Sequence, residues 1–228
     1  MKKLTLLPVL VILFMSCTKS DQPQPVADQV RKNAFRLEGL TNAPAPVTGY
    51  TLYTIPQGGH YCDKSTIKSV STQEMKFNAI FDASAIYTSV TPINQYDVNK
   101  LWGFSEGLSN QYNSCRIGWS WNDGAIGGVN QIGTTALRLS AYAYVQGVRN
   151  IKEIAVVPLN TPIWCSIKPS GASYICTVSY TVSGVTNKFS ATVPRGTTAT
   201  TASGYQQFPY FGGNETAPHP VYIFIQSL

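Results

Sequence analysis

From Gly49 onward the apolar residues recur at every second position, a period that strands satisfy and helices do not. In residues 136–146, Leu137, Leu139, Ala141, Ala143 and Val145 alternate with Arg138, Ser140, Tyr142, Tyr144 and Gln146. Residues 114–121 set Cys115, Ile117, Trp119 and Trp121 against Ser114, Arg116, Gly118 and Ser120. Residues 74–82 set Met75, Phe77, Ala79 and Phe81 against Lys76, Asn78 and Asp82. Segments 50–55, 100–104, 151–157, 163–167, 174–182, 188–193, 206–211 and 221–226 also have strand composition. Turn signals such as Asn122-Asp123-Gly124, Pro169-Ser170-Gly171 and Gly212-Gly213-Asn214 separate them. With no sustained helical stripe and about eleven strands, the chain predicts an all-β fold, a two-sheet antiparallel sandwich of jelly-roll type over residues 49–228. A charged fraction of only 12% agrees, since Lys/Glu-laced helical bundles need about twice that. The 11% aromatic content excludes a disordered chain.

The N-terminus sets the compartment. Met1-Lys2-Lys3 is a basic start, and the apolar run from Leu4 to Met15 is too short to span a hydrocarbon core of about 30 Å as a helix. It fits the apolar region of an export signal over residues 1–16. Ser16-Cys17 at its end resembles the lipobox of bacterial lipoproteins, which implies that Cys17 is lipidated and becomes the new N-terminus. Residues 17–48, with Gln22-Pro23-Gln24-Pro25 and Ala43-Pro44-Ala45-Pro46, then read as a Pro-rich spacer that lifts the domain off the membrane. The expected location is the bacterial cell envelope, as an outer-membrane lipoprotein whose first partner is the membrane itself. The basic residues are scattered, with no run longer than Arg31-Lys32, so the clustered footprint of a nucleic-acid binder is missing.

Four cysteines follow Cys17, and an exported even set commonly pairs. A hairpin centred between Ser170 and Gly171 places Cys165 opposite Cys176, and Cys62 then pairs with Cys115 by elimination.

The polar stripes nominate a ligand-binding face. If residues 114–121 and 136–146 share a sheet, its outer side presents Arg116 and Arg138 with Tyr142 and Tyr144. Lys76, Asn78 and Trp102 are the outer candidates. Aromatic rings stack on the apolar faces of sugars, and Arg and Asn donate to hydroxyls or carboxylates. The competing reading is plain sheet packing by the tyrosines.

Catalytic motifs are few. His60 and His219 show no zinc spacing, Gly-x-Ser-x-Gly is missing, and no phosphate-binding glycine loop occurs. No cofactor is implied. Asp82, Asp97 or Asp123 are candidates for a structural calcium, without the Asp-rich loop such a site normally has. A β-eliminating lyase needs only a Tyr or His base and an Arg, Lys or Asn against a uronate carboxylate. For that chemistry the candidates are Tyr142, Tyr144, Arg116 and His219. Glu215 and His219 sit in a Gly/Pro-rich turn, where His219 bonding to backbone carbonyls is the simpler role.

Three segments carry a resemblance. Asn94-Gln95-Tyr96-Asp97-Val98-Asn99-Lys100-Leu101-Trp102-Gly103-Phe104-Ser105, Asn113-Ser114-Cys115-Arg116-Ile117-Gly118-Trp119, and the run from Pro209-Tyr210-Phe211-Gly212-Gly213 to Ala217-Pro218-His219 resemble a group of Bacteroidetes-type exported lipoproteins. That likeness spans most of residues 49–228 and implies no particular activity. Cys115 stands where the group typically has Ala, which would fit an added disulfide with Cys62. Phe211-Gly212-Gly213, Ala217-Pro218 and the strand at 221–225 are also similar to the closing segment of concanavalin-like jelly-roll polysaccharide lyases. That similarity implies a concanavalin-like sandwich, with an arginine and aromatic or histidine bases on its concave sheet.

The expectation is a lipid-anchored β-sandwich that binds carbohydrate on one sheet face. The alternatives are a lyase acting on uronate-containing glycans, and a structural or adhesion subunit with a protein partner. The link between fold and sugar is analogy.

Overall fold

A computed structural model of the chain describes residues 43–121 and 133–228. The export signal, Cys17, segment 26–40 and the Asn122-Asp123-Gly124 turn lie outside the described residues, as does most of the spacer. The described chain is the expected all-β sandwich, with two antiparallel sheets of six strands each. The strands are β1 (Thr51–Ile55), β2 (Ser69–Thr72), β3 (Met75–Phe81), β4 (Asn99–Glu106), β5 (Ser114–Ser120) and β6 (Ala136–Val145). They continue with β7 (Val148–Pro158), β8 (Ile163–Ser170), β9 (Ser173–Val182), β10 (Val185–Pro194), β11 (Ala202–Gln207) and β12 (Val221–Ser227). One sheet runs β1-β12-β3-β8-β9-β10 and the other β2-β11-β4-β5-β6-β7.

Two strand assignments are corrected. The segment expected at 206–211 pairs instead over Ala202–Gln207, and β2 was not anticipated. β2 is a four-residue edge strand of Ser, Val, Ser and Thr, too short and polar to show an apolar alternation.

The inner faces carry the alternating apolar residues read from the sequence. Phe77, Phe81, Leu101, Phe104, Ile117, Trp119, Leu139 and Ile163 are all fully buried between the sheets. Edge-to-face rings, such as Tyr87 on Trp119 at 5.7 Å and Phe104 on Tyr174 at 5.9 Å, fill the space.

Neither expected disulfide forms. The β8–β9 turn is centred one residue later than the sequence suggested, with Ser170 opposite Ser173. Cys165 therefore faces Val178, and Cys176 faces Ile167. The two cysteines become diagonal neighbours, whose Cβ atoms stand about 7 Å apart against the roughly 4 Å a disulfide requires. Cys62 and Cys115 are not joined either; the Cys62 thiol lies 3.3 Å from the Ser65 hydroxyl.

Candidate functional site

The outer face of the β2-β11-β4-β5-β6-β7 sheet is built from cross-strand ladders. One runs Gln207–Gly103–Arg116–Tyr142–Ile151 across β11, β4, β5, β6 and β7. The next runs Tyr205–Ser105–Ser114–Tyr144–Arg149. Because β5 and β6 pair without interruption from Ser114–Tyr144 to Ser120–Arg138, the period-two reading puts Arg116, Tyr142 and Tyr144 on one face.

A cleft of about 920 Å³ opens over these ladders, with walls from the segments 61–67, 108–111 and 205–214. Among the described residues its lining includes three cations, Lys100, Arg116 and Arg149, and no carboxylate. Five tyrosines also line it: Tyr61, Tyr142, Tyr144, Tyr205 and Tyr210.

The floor is more buried than a surface stripe implies. Arg116 is 5% exposed and Tyr142 3%, yet Tyr142 packs on the cleft side of the sheet, outside the apolar core. Arg116 donates from Nη2 to the Asn110 carbonyl at 3.0 Å, and its guanidinium sits 5.6 Å from the centre of the Tyr142 ring. Its buried Nε has no hydrogen-bond partner. Desolvation lowers the Arg116 pKa, although so strong a base keeps its charge. The Tyr142 and Tyr144 hydroxyls lie 3.4 Å apart. Burial, then the hydroxyl contact with Tyr144, raises the Tyr142 pKa to about 12, so its proton stays on at neutral pH.

Lys100 is among the cleft residues that sequence reasoning missed. Its Nζ lies 4.9 Å from the centre of the Tyr142 ring and 5.6 Å from that of Tyr210, between two aromatic faces. Paired backbone hydrogen bonds of 2.8 and 2.9 Å hold Tyr210 against Lys100. His60 stacks on Tyr210 at 5.3 Å and bonds through Nδ1 to the Phe211 carbonyl at 2.8 Å, which fixes that wall. Burial, followed by repulsion from Arg116, pulls the Lys100 ammonium down to about 8.

The signal that would have placed Trp102 is a β-bulge. The register shifts between Lys100, opposite Gly118, and Trp102, opposite Ile117. Strict alternation would put Lys100 and Trp102 on one face; the extra residue, Leu101, turns them apart. Trp102 therefore leaves the ligand face. It is buried between the sheets, 5.4 Å from Tyr53 and 5.2 Å from Phe208.

Lys76 and Asn78 are corrected as well. Both lie on β3, in the opposite sheet, where Asn78 donates to Gln226 at 2.8 Å and Lys76 approaches Glu74 at 3.2 Å. Period two gives a residue's face, whereas its sheet follows from topology. His219 does not line the cleft; its Nε2 bonds to the Ser84 carbonyl at 2.9 Å, the simpler role read from its turn. Glu215 likewise accepts from Val90 N, Thr91 N and Asn94 Nδ2. Of the calcium candidates, Asp82 caps a short 3₁₀ turn by accepting from Ser84 N. No cluster of three or more His, Cys, Asp or Glu suited to a metal occurs among the described residues.

Neither a family model nor a curated protein sequence matches this chain. Solved structures similar to it include the alginate lyase vAL-1 from Chlorella virus, at 11% identity over 82% of this chain and 87% of that one, with a TM-score of 0.41. A functionally unknown protein from Saccharomyces cerevisiae is 10% identical over 81% of this chain and 88% of its own, at a TM-score of 0.43. The enzymatically active domain of bacteriophage CBA120 tailspike protein 2 is 11% identical over 82% of this chain and 30% of that chain, at 0.36. Each is a likeness in the arrangement of strands, and none speaks for this chain's activity.

Proposed function

We propose that the cleft binds an acidic polysaccharide and cleaves it by β-elimination at a uronate residue, on a protein anchored in the cell envelope through lipidated Cys17. The observation that carries this reading is Lys100, a partly desolvated amine held between two tyrosine rings beside a buried guanidinium. Among the described residues, three lining cations without a carboxylate favour a polyanion, and a pKa of about 8 leaves a useful fraction of Lys100 as free base near neutrality.

The roles follow from position and charge. Arg116, which lines the cleft, meets the uronate carboxylate with its guanidinium charge and so stabilises the charge that develops on the carboxylate as C5–H is broken. The neutral Lys100 amine takes the C5 proton. The C4–O bond then breaks, and the Tyr142 hydroxyl, which remains protonated, donates to the departing oxygen. The products are a new chain end and a C4=C5 double bond conjugated with the carboxylate. The proton on Lys100 returns to Tyr142 through solvent, and no water is consumed.

Tyr61 supports the binding half of this reading independently. It is 68% exposed at the cleft wall and meets Tyr210 edge to face at 4.9 Å, which leaves a ring free to stack on a sugar. The test is incubation with a panel of polyuronates, followed by absorbance near about 235 nm, the enoate signal of the elimination. Growth of that signal supports the lyase. Binding without absorbance leaves a glycan-binding module, and silence in both moves the weight to a protein partner.

A further inference from the structure

Cys115 on β5 and Cys176 on β9 belong to different sheets, yet their sulfur atoms lie 3.6 Å apart in the fully buried core. A covalent bond needs those sulfurs to close to roughly 2.05 Å. The other buried candidate is poorly placed. Cys165 sits diagonally from Cys176 on the neighbouring strand, and its thiol is turned toward the Ile163 carbonyl at 3.8 Å. Cys62 is engaged with Ser65.

We propose that Cys115 and Cys176 form a disulfide that staples the two sheets together, leaving Cys62 and Cys165 as thiols. In the folded chain burial holds the Cys115 thiol well above its ordinary pKa, so little thiolate exists to react. The bond therefore forms while the chain folds, before the sheets close. One thiolate attacks a small-molecule or protein disulfide to give a mixed disulfide, and the second displaces it. The two cysteines lose two protons and two electrons, and the oxidant leaves as two thiols. The bridge closes a loop whose ends are 61 positions apart and that contains β6, β7 and β8. It also ties β5 to the far sheet one residue from Arg116, so it holds the strand under the cleft whatever ligand the cleft takes.

The test folds the full chain in a glutathione redox buffer, denatures it without reductant, alkylates free thiols and maps the peptides. The expected result is a Cys115–Cys176 linked peptide, with Cys62 and Cys165 alkylated. Alkylation of both Cys115 and Cys176, or a Cys165–Cys176 link, would overturn the proposal. A second measurement compares melting with and without strong reductant present during folding. The reduced protein is expected to melt about 10 °C lower, as expected for a loop of this length in a domain of this size. The Cys165→Ser variant should keep both the link and that difference. An equal melting temperature in the two conditions would count against the staple.

Discussion

Gly103 and Arg116 face each other across β4 and β5, and a methyl group on Gly103 would stand 2.6 Å from the Arg116 Cα and 2.8 Å from its Cγ. The missing side chain on β4 is thus the space through which the arginine stem reaches the cleft floor. Replacing Gly103 by Ala must shift backbone, since the Cys115 carbonyl is also in the way. Overpacking of this kind costs about 1–3 kcal/mol. Gly103→Ala is expected to lower the denaturation midpoint by that amount and to abolish polyuronate binding, whereas a purely structural Gly103 would leave binding intact at temperatures where the variant is folded.

On the elimination reading, the Lys100 proton decides turnover. Its folded pKa of about 8 lies below the ordinary 10.5, so between those values the unfolded chain holds more protons, and stability rises with pH across that window. Activity on a uronate polymer should rise along an acid limb centred near 8 in kcat/KM, which reports the free enzyme. Lys100→Arg keeps the charge and removes the base. It is expected to retain polymer binding while losing at least about a hundredfold in turnover. Unchanged turnover in that variant would assign Lys100 to charge alone.

Tyr142 separates ring from hydroxyl. Tyr142→Phe keeps the ring that Lys100 and Arg116 pack against and removes only the hydroxyl, which meets Tyr144 and Arg149. Its melting temperature should stay close to that of the parent, and elimination should fall by about 10²-fold or more with binding little changed. Tyr142→Ala, at a position only 3% exposed, is expected to lose stability as well, by about 3–5 kcal/mol. Equal losses of turnover and stability in the Phe variant would make the hydroxyl structural.

The sequence carried strand phase well and strand partnership poorly. Arg116, Tyr142 and Tyr144 fall on one face because β5 and β6 alternate through an unbroken register. Trp102 parts from Lys100 and enters the core because a single bulge residue reverses the face between them, and a bulge leaves no mark in hydropathy. Lys76 and Asn78 follow the period faithfully but ride on the other sheet, a matter of topology. The cysteine pairing failed on a one-residue error in the centre of the β8–β9 turn, which moves every cross-strand partner by two positions. Arg149 reaches the cleft because the β6–β7 hairpin sets it opposite Tyr144, and Tyr61 through a bridge to Tyr210, far away in sequence.

Away from the cleft, the two sheets are also clamped by a buried ion pair. Glu106 at the end of β4 accepts from Arg195 Nε at 2.7 Å and Nη2 at 3.2 Å, and from the Tyr174 hydroxyl of β9 at 2.8 Å. The Arg195 side chain is fully shielded from solvent and also donates to the Gly171 and Ala199 carbonyls. Taking away the carboxylate strands a guanidinium that keeps its charge, so Glu106→Ala should cost about 3–5 kcal/mol in denaturant unfolding. Replacing both partners, as in Glu106→Leu with Arg195→Met, removes the charge with its counter-ion and should recover most of that loss. If the single variant lost less than about 1 kcal/mol, the pair would be behaving as a solvated surface bridge. Polyuronate binding below the melting temperature should be unchanged in both variants, because neither residue lines the cleft.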